Sequence, residues 1–204
     1  MKARKLLLAM MTIASITLFN ACTEDACEGE TCSGNGTPVE AAGLCSCDCD
    51  NGYSGSNCEI VDLCIVNAVD CGANGDCADG ACVCDAGYEG DSCQTVSRVK
   101  FLGVYDVTDA CSASGAASYQ STITASGTTI NKVLIDNFWD SFVNAVEGTI
   151  SGSTITIPTQ EPDGDGFTVT GTGTISGDAI TLTLNYSVAD GANTDVCQST
   201  WTKQ

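Results

Sequence analysis

The 204-residue chain contains no histidine. That absence removes Ser-His-Asp and Cys-His catalysis, the imidazole proton shuttle and any zinc site with a histidine ligand. Basic residues are scarce, 7 Lys+Arg against 26 Asp+Glu, for a net charge of −19. Nucleic-acid binding needs Lys and Arg in numbers, so it is excluded as a function class. No G-x-S-x-G elbow, P-loop or dinucleotide fingerprint occurs. A carboxylate-pair hydrolase would need a cleft and a set separation, neither legible in a sequence. The chain is therefore expected not to be an enzyme, with no catalytic residue and no cofactor. Apolar runs are also short. The longest, Leu6 to Phe19, has 14 residues, where a membrane helix needs about 20.

That short run has a different use. Lys2, Arg4 and Lys5 precede it and Phe19-Asn20-Ala21-Cys22 ends it. Basic flank, apolar segment and small-residue end, in that order, suit an export signal. The ending resembles the lipobox of bacterial lipoproteins. The resemblance implies a signal peptide over 1–21 and an acylated Cys22 (a palmitate-type anchor) as mature N-terminus, attached to the outer membrane. Residues 22–26 then form an acidic tether, and Thr23-Glu24-Asp25 resembles the surface-export signal of some Gram-negative lipoproteins. Loss of residues 1–21 leaves 4 basic residues and a net charge near −22. Anionic lipid repels such a chain, so the acyl anchor on Cys22 is the expected membrane contact.

Cysteine is abundant instead: 15 residues. In an exported chain this reads as a disulfide framework. Residues 49–58, CDNGYSGSNC, and 84–93, CDAGYEGDSC, repeat at a period of 35. Upstream lie Cys27, Cys32, Cys45 and Cys47 in the first unit and Cys64, Cys71, Cys77 and Cys82 in the second. Units this small cannot build a sufficient apolar core and need staples. Six cysteines allow many connectivities, and spacing does not choose among them. The repeats, ending C-x-C-x2-G-Y-x-G-x2-C, are similar to EGF-like modules, over residues 27–60 and 61–97. The family implies first-to-third, second-to-fourth and fifth-to-sixth pairing: Cys27–Cys45, Cys32–Cys47, Cys49–Cys58, then Cys64–Cys77, Cys71–Cys82, Cys84–Cys93. Gly52 and Gly87 suit a turn with φ > 0, and Tyr53 and Tyr88 suit packing over the fifth-to-sixth bridge.

Metal is not expected here. Cys45-Ser46-Cys47-Asp48-Cys49 is too tightly spaced for a usual thiolate site. The residues before Cys27 and Cys64 lack the oxygen ligand set of a calcium-binding module. Residues 23–97 hold 15 Asp+Glu and no Lys or Arg, which suits a solvated, self-repelling acidic stalk.

Composition changes near Thr95–Arg98. Residues 98–204 carry two cysteines and are rich in Thr, Ser, Gly, Val and Ile. Apolar residues alternate with Thr and Ser, the mark of half-buried strands. Strands are predicted at 99–109, 118–126, 129–138, 142–150, 153–159, 166–176, 178–189 and 194–203, with no confident helix. Short turns between eight strands indicate an antiparallel meander, an up-and-down barrel or a sandwich. Closure would bring the end of the first strand to the start of the last, so Cys111 and Cys197 would bridge the seam. Their separation of 86 residues corresponds to about 4–5 kcal/mol in the chain-entropy model, an upper figure. Phe101-x-Gly103-x-Tyr105 resembles the opening motif of lipocalin-like, calycin-type barrels. Phe101, Tyr105, Ile123, Phe142, Val146, Phe167, Val169, Leu182, Leu184 and Tyr186 are the expected inward groups. Core packing is their ordinary role; pocket lining by Phe101, Tyr105, Phe142, Phe167, Leu182, Leu184 and Tyr186 is the sharper one. Glu161-Pro162-Asp163-Gly164-Asp165-Gly166 resembles part of a calcium loop but reads as a turn.

The chain is thus expected to be mainly β: two disulfide-rich modules, then an eight-stranded antiparallel barrel. Fifteen cysteines divide as one anchor, six, six and two. The leading functional expectation is a non-enzymatic surface protein whose EGF-like spacer presents a barrel to a protein or glycan partner. The alternative is a carrier of a small apolar ligand inside the barrel.

Overall fold

The computed structural model describes residues 25–127 and 129–204. The leader and Cys22 lie outside the described residues. Among the described residues no helix is long and apolar enough to cross a membrane. The chain divides into two compact units, the first ending at Ala68 and the second spanning Val69–Gln204.

In the first unit, β1 (Gly36–Ala41) and β2 (Leu44–Cys49) form an antiparallel hairpin. Two-residue strands β3 (Tyr53–Ser54) and β4 (Ile60–Val61) pair below it. One helical turn, α1 (Leu63–Val66), follows, capped by the Asp62 side chain, which accepts from the Cys64 and Ile65 amides. Such a carboxylate cap satisfies donors a short helix leaves open. Cys27–Cys45, Cys32–Cys47 and Cys49–Cys58 are joined.

The second unit repeats the pattern with β5 (Gly75–Ala78), β6 (Ala81–Cys84), β7 (Tyr88–Glu89) and β8 (Thr95–Val96). Tyr53 pairs with Val61 and Tyr88 with Val96, so register repeats with sequence. Cys71–Cys82 and Cys84–Cys93 are joined, and Cys64 and Cys77 are also disulfide-bonded. Gly52 and Gly87 take φ of +89° and +96°.

The barrel consists of β9 (Gly103–Cys111), β10 (Gly115–Ala125), β11 (Lys132–Asp136), β12 (Val146–Ser151), β13 (Thr154–Gln160), β14 (Thr168–Ile175), β15 (Thr181–Ala189) and β16 (Thr194–Lys203). Each strand pairs antiparallel with the next, and β16 closes onto β9 from Cys197↔Cys111 to Lys203↔Tyr105. Closure removes every sheet edge. Alternate residues point inward and fill the interior. Trp201, Tyr105, Phe101, Phe138, Leu182 and Leu184 are fully buried in one cluster. Gly173 and Gly171 face Leu184 and Tyr186 across the β14–β15 pair. A Cβ at Gly171 would lie 2.6 Å from Tyr186 Cβ, so glycine makes room for the large neighbour.

The structure departs from the predicted strands in three places. Ser97–Phe101 is a 3-10 turn, not the start of the first strand. It turns because Phe101 is drawn into the core, where its carbonyl accepts from Tyr105 Oη at 2.8 Å. The strands predicted at 129–138 and 142–150 are shorter, because residues 137–145 leave the sheet. There Phe138 and Phe142 turn inward over the end of the barrel, and Asn137, Trp139 and Asp140 adopt positive φ. The strand predicted at 178–189 begins only at Thr181, because residues 178–180 form a turn in which Ile180 is exposed.

The composition break near residues 95–98 also falls within a single compact unit. Gly87 lies against Ile130 and Asn131 of the β10–β11 loop. The Ser97 amide donates to the Gly87 carbonyl at 2.9 Å. Lys100 pairs with Glu89 at 2.7 Å. Arg98 Nη1 donates to the carbonyls of Ser126, Thr129 and Lys132. The second module is therefore docked on the barrel.

Candidate functional site: the distal mouth of the barrel

Strand direction sorts the connections to two ends. Residues 126–127 and 129–131 and loops 152–153 and 176–180 stand at the end where the second module docks. Loops 112–114, 137–145, 161–167 and 190–193 stand at the opposite, distal end. Charge is sorted the same way. Arg98, Lys100, Lys132 and Lys203 all lie toward the docked end. Each is engaged there: Lys132 pairs with Glu147, and Lys203 Nζ donates to the Lys100 carbonyl at 2.7 Å over the Tyr105 ring. Burial lowers the Lys203 pKa and pushes the Tyr105 phenol up to about 12. The distal loops carry only acidic charge.

At the distal end the interior changes character. Tyr105, Val107 and Asp109 follow one another on the inward face of β9, so the third position places a carboxylate in the barrel. Asp109 is 1% exposed. Its Oδ2 accepts from Tyr119 Oη at 2.8 Å and Tyr186 Oη at 2.6 Å. Its Oδ1 is buried without a partner. The Trp139 amide donates to Tyr119 Oη at 3.1 Å, tying the 137–145 loop to this cluster. Burial first, then the neighbouring Asp109 charge, raises the Tyr119 pKa. Burial raises that of Tyr186 likewise, so both phenols stay protonated donors.

An aromatic plug lies beneath the loop. The Phe138 ring stands 4.7 Å from Tyr186, edge to face, and 5.9 Å from Trp201. Trp139 continues the stack to Phe142 at 5.9 Å and Phe167 at 6.2 Å. Around the plug lie two cavities. One, about 330 Å³, is lined by Asp109, Cys111, Ser114, Ala117, Trp139, Asp140 and Ser141. The other, about 190 Å³, lies between Trp139, Phe167, Val188 and the 113–114 and 190–195 segments.

Carboxylates brace the rim. Asp163 accepts from the Val143 and Asn144 amides at 2.9 and 2.8 Å, joining two loops. Asp190 accepts from the Ala192 and Asn193 amides. Asp195 accepts from the Ala113 and Ser114 amides and the Ser112 and Ser114 hydroxyls. The Cys111–Cys197 bridge closes the seam beside it.

Of the residues expected to line a pocket, Phe167 alone borders these two mouth cavities. Phe101, Tyr105, Leu182 and Leu184 are packed in the interior, and Phe142 and Tyr186 in the plug. Interior volume went to Trp201, Phe138 and the Ile residues of β11–β13, so little is left for these side chains to enclose. Asp109, Tyr119 and Trp139 were missed. The available signal was a charged residue at an inward position of a strand. Cys111, Asp195 and Cys197 approach one another closely enough for a metal site. Both sulfurs are in a disulfide and the carboxylate is taken by four donors, so they do not form one. The Cys45, Cys47 and Cys49 sulfurs are likewise all in disulfides.

Residues 21–62 match the family model of the SPE-9 third EGF-like domain, and residues 68–95 that of the Teneurin-like EGF domain. The cysteine-rich part is therefore made of EGF-like domains. No curated protein matches. Among solved structures, a redesigned beta barrel, b11L5F_LGL, matches at 14% identity, covering 53% of this chain and 95% of its own, with a TM-score of 0.41. EF1p2_mFAP2b bound to DFHBI matches at 15%, covering 53% and 97%, with a TM-score of 0.40. A Bacteroides ovatus protein of unknown function matches at 12%, covering 51% and 42%, with a TM-score of 0.36.

Proposed function

We propose that this chain is a non-enzymatic, lipid-anchored protein of the outer membrane, displayed at the cell surface, in which EGF-like domains hold a binding barrel away from the membrane. The observation that carries the reading is the polarity of the barrel. The second module occupies one end with every base the barrel domain holds, and loops without any base occupy the other, around the two cavities beside Trp139. Cys22, at the lipobox-like end of the leader, is the acylation site in this reading, and Thr23-Glu24-Asp25 the export signal. The partner binds at the mouth. Carriage of an apolar ligand inside the barrel is less well supported, because Trp201, Tyr105, Phe101 and Phe138 occupy the interior. We read the barrel as lipocalin-like on the Phe101-x-Gly103-x-Tyr105 opening, where Gly103 passes beside the Lys203 stem that covers the Tyr105 ring.

The test is protease digestion of intact cells. The wild-type chain should be membrane-bound and cleaved, and Cys22→Ser should leave the membrane fraction. Full protection in intact cells would overturn surface display, and membrane retention of the variant would overturn the anchor.

A further inference from the structure

We propose that the tip of the β1–β2 hairpin, formed by Val39, Ala41, Ala42 and Leu44, enters the lipid surface to which Cys22 is anchored, and so fixes how the first EGF-like module stands on it. The inference goes beyond the surface-display reading and rests on its acyl anchor.

Three observations converge. First, the tip is apolar and open. Val39 pairs with Ser46 and Ala41 with Leu44, and directly opposed residues share one face of a hairpin. Val39 is 42% exposed and Leu44 73%, and Ala41 and Ala42 are exposed with them. Glu40 pairs with Cys45, so it stands on the opposite, disulfide-bearing face. Second, the bridges of the module bring the start of the chain to this tip. In the second module the third cysteine, Cys77, lies on the outgoing strand β5 opposite Cys82. In the first module Pro38 holds that place opposite Cys47, and the hairpin runs two residue pairs further. The third cysteine, Cys45, lies on the returning strand beside Leu44, and Cys27 is bonded to it with the Cα atoms 5.0 Å apart. The chain turns over residues 25–28, where the Asp25 carbonyl accepts from the Glu28 amide. In the mature chain only residues 22–24 precede that turn, roughly 10 Å when extended. Leu44 therefore cannot stand more than about 26 Å from the acylated residue. Third, the apolar turn is strained. Ala42 and Gly43 take φ of +55° and +76°, as Asp79 and Gly80 of the second module take +50° and +80°. Asp and Asn are the usual non-glycine residues in such a turn, and alanine is disfavoured. The module next to the anchor thus carries the apolar residue where the module after it carries a charge. Strain of this kind is kept where function requires it. The patch is too small to hold lipid by itself, but a tether raises its local concentration at the bilayer. A zwitterionic surface suits the acidic chain, which anionic lipid would repel.

The experiment couples the mature chain through Cys22, whose 14 fellow cysteines are disulfide-bonded, to a maleimide-bearing phosphatidylethanolamine in phosphatidylcholine vesicles. The tether is thus supplied chemically, whatever cells attach to Cys22. Phosphatidylcholine brominated in the upper acyl chain is the quencher. Leu44→Trp should lose emission relative to the wild-type background of Trp139 and Trp201, since an interfacial side chain lies about 5–10 Å into the headgroup and acyl boundary. Ile60→Trp is the control. Ile60 is also exposed, but it follows Cys58, which is bonded to Cys49 at the far end of β2, roughly 17 Å along the strand from Leu44. That variant should keep its emission. Amide exchange at residues 41–45 should be slower in the coupled wild type than in the uncoupled chain, and Leu44→Glu should abolish the slowing. Undiminished emission from Leu44→Trp, equal quenching of Ile60→Trp, or unchanged exchange on coupling would overturn the hairpin contact. Failure here leaves the acyl anchor standing, because the tether was made by chemistry. Retention of Cys22→Ser in the membrane fraction of cells would instead overturn the anchor and leave the vesicle result as measured.

Discussion

The EGF-like region and the barrel are both built of antiparallel strands, yet they are held by different means. Strands of the modules run two to six residues, those of the barrel five to eleven. In the modules the buried apolar groups are Cys32, Cys58, Cys71 and Cys93. Their aliphatic residues face water: Leu44 is 73% exposed and Val83 61%. The sulfur bridges are thus both staple and core. The barrel buries a continuous cluster of Phe, Tyr, Trp, Ile, Leu and Val, and adds one bridge at its seam. A module of about 35 residues has too little volume to shield a core, whereas about 100 residues closed into a cylinder have enough.

The largest effect that separates the two regions should come from reduction. With a strong reductant at neutral pH, the modules should lose all fixed structure, since each native bridge in so small a unit contributes about 2–5 kcal/mol and little else opposes unfolding. The barrel should lose only the Cys111–Cys197 constraint and keep its sheet. Hydrogen exchange by segment checks this. Loss of protection in β14 and β15 together with β1 and β2 would break the distinction.

A smaller effect should come from the seam between second module and barrel. Gly87 has φ of +96°, and a Cβ there would lie 2.7 Å from Ile130 Cγ2 and 3.3 Å from the Asn131 amide nitrogen. Gly87→Ala therefore combines backbone strain with a steric push on the β10–β11 loop, together about 1–3 kcal/mol. Gly43, with φ of +76° and nothing near it, supplies the control for strain alone. Thermal unfolding should show Gly87→Ala lower than Gly43→Ala, with exchange quickened around residues 126–131. Equal melting of the two variants would mean that the docked contact adds nothing.

The regions also differed in how far sequence revealed them. A repeat of fixed length marks a module wherever it occurs, so Tyr53 and Tyr88 fall in matching register positions. Alternation marked β14 through β16 closely, because neighbouring strands force inward and outward sides to alternate. Residues 137–145 broke the rule. Phe138 and Phe142 look like strand residues by composition, but they bury themselves over the end of the barrel and not on its wall. The mouth was legible only in part. Phe167 was singled out, whereas Asp109 escaped because alternation was read through apolar residues. Its partner Tyr119 lies ten residues on, in the neighbouring strand β10, but Tyr186 comes from β15, 77 residues away, and closure of the barrel brings it in.

The smallest effect should be acid sensitivity of the mouth. Amide donors from residues 143–144 hold the Asp163 carboxyl below its ordinary pKa, and those of Asn193 and Ala192 do the same for Asp190. Burial pulls Asp195 the other way, but its hydroxyl and amide donors overcome it and its pKa is also lowered. A depressed folded-state pKa means stability present above the ordinary carboxylate range and lost as pH falls through the lower, folded value. The distal loops should therefore hold from neutral pH down to about 4 and loosen below it. The contacts from Arg98 to the β10–β11 carbonyls involve no carboxylate and should persist. Amide exchange compared at neutral and strongly acidic pH should thus quicken at residues 113–114, 143–144 and 192–193 before it quickens at 126–132. Simultaneous loosening of both ends would show that the rim carboxylates do not brace the mouth independently of the docked end.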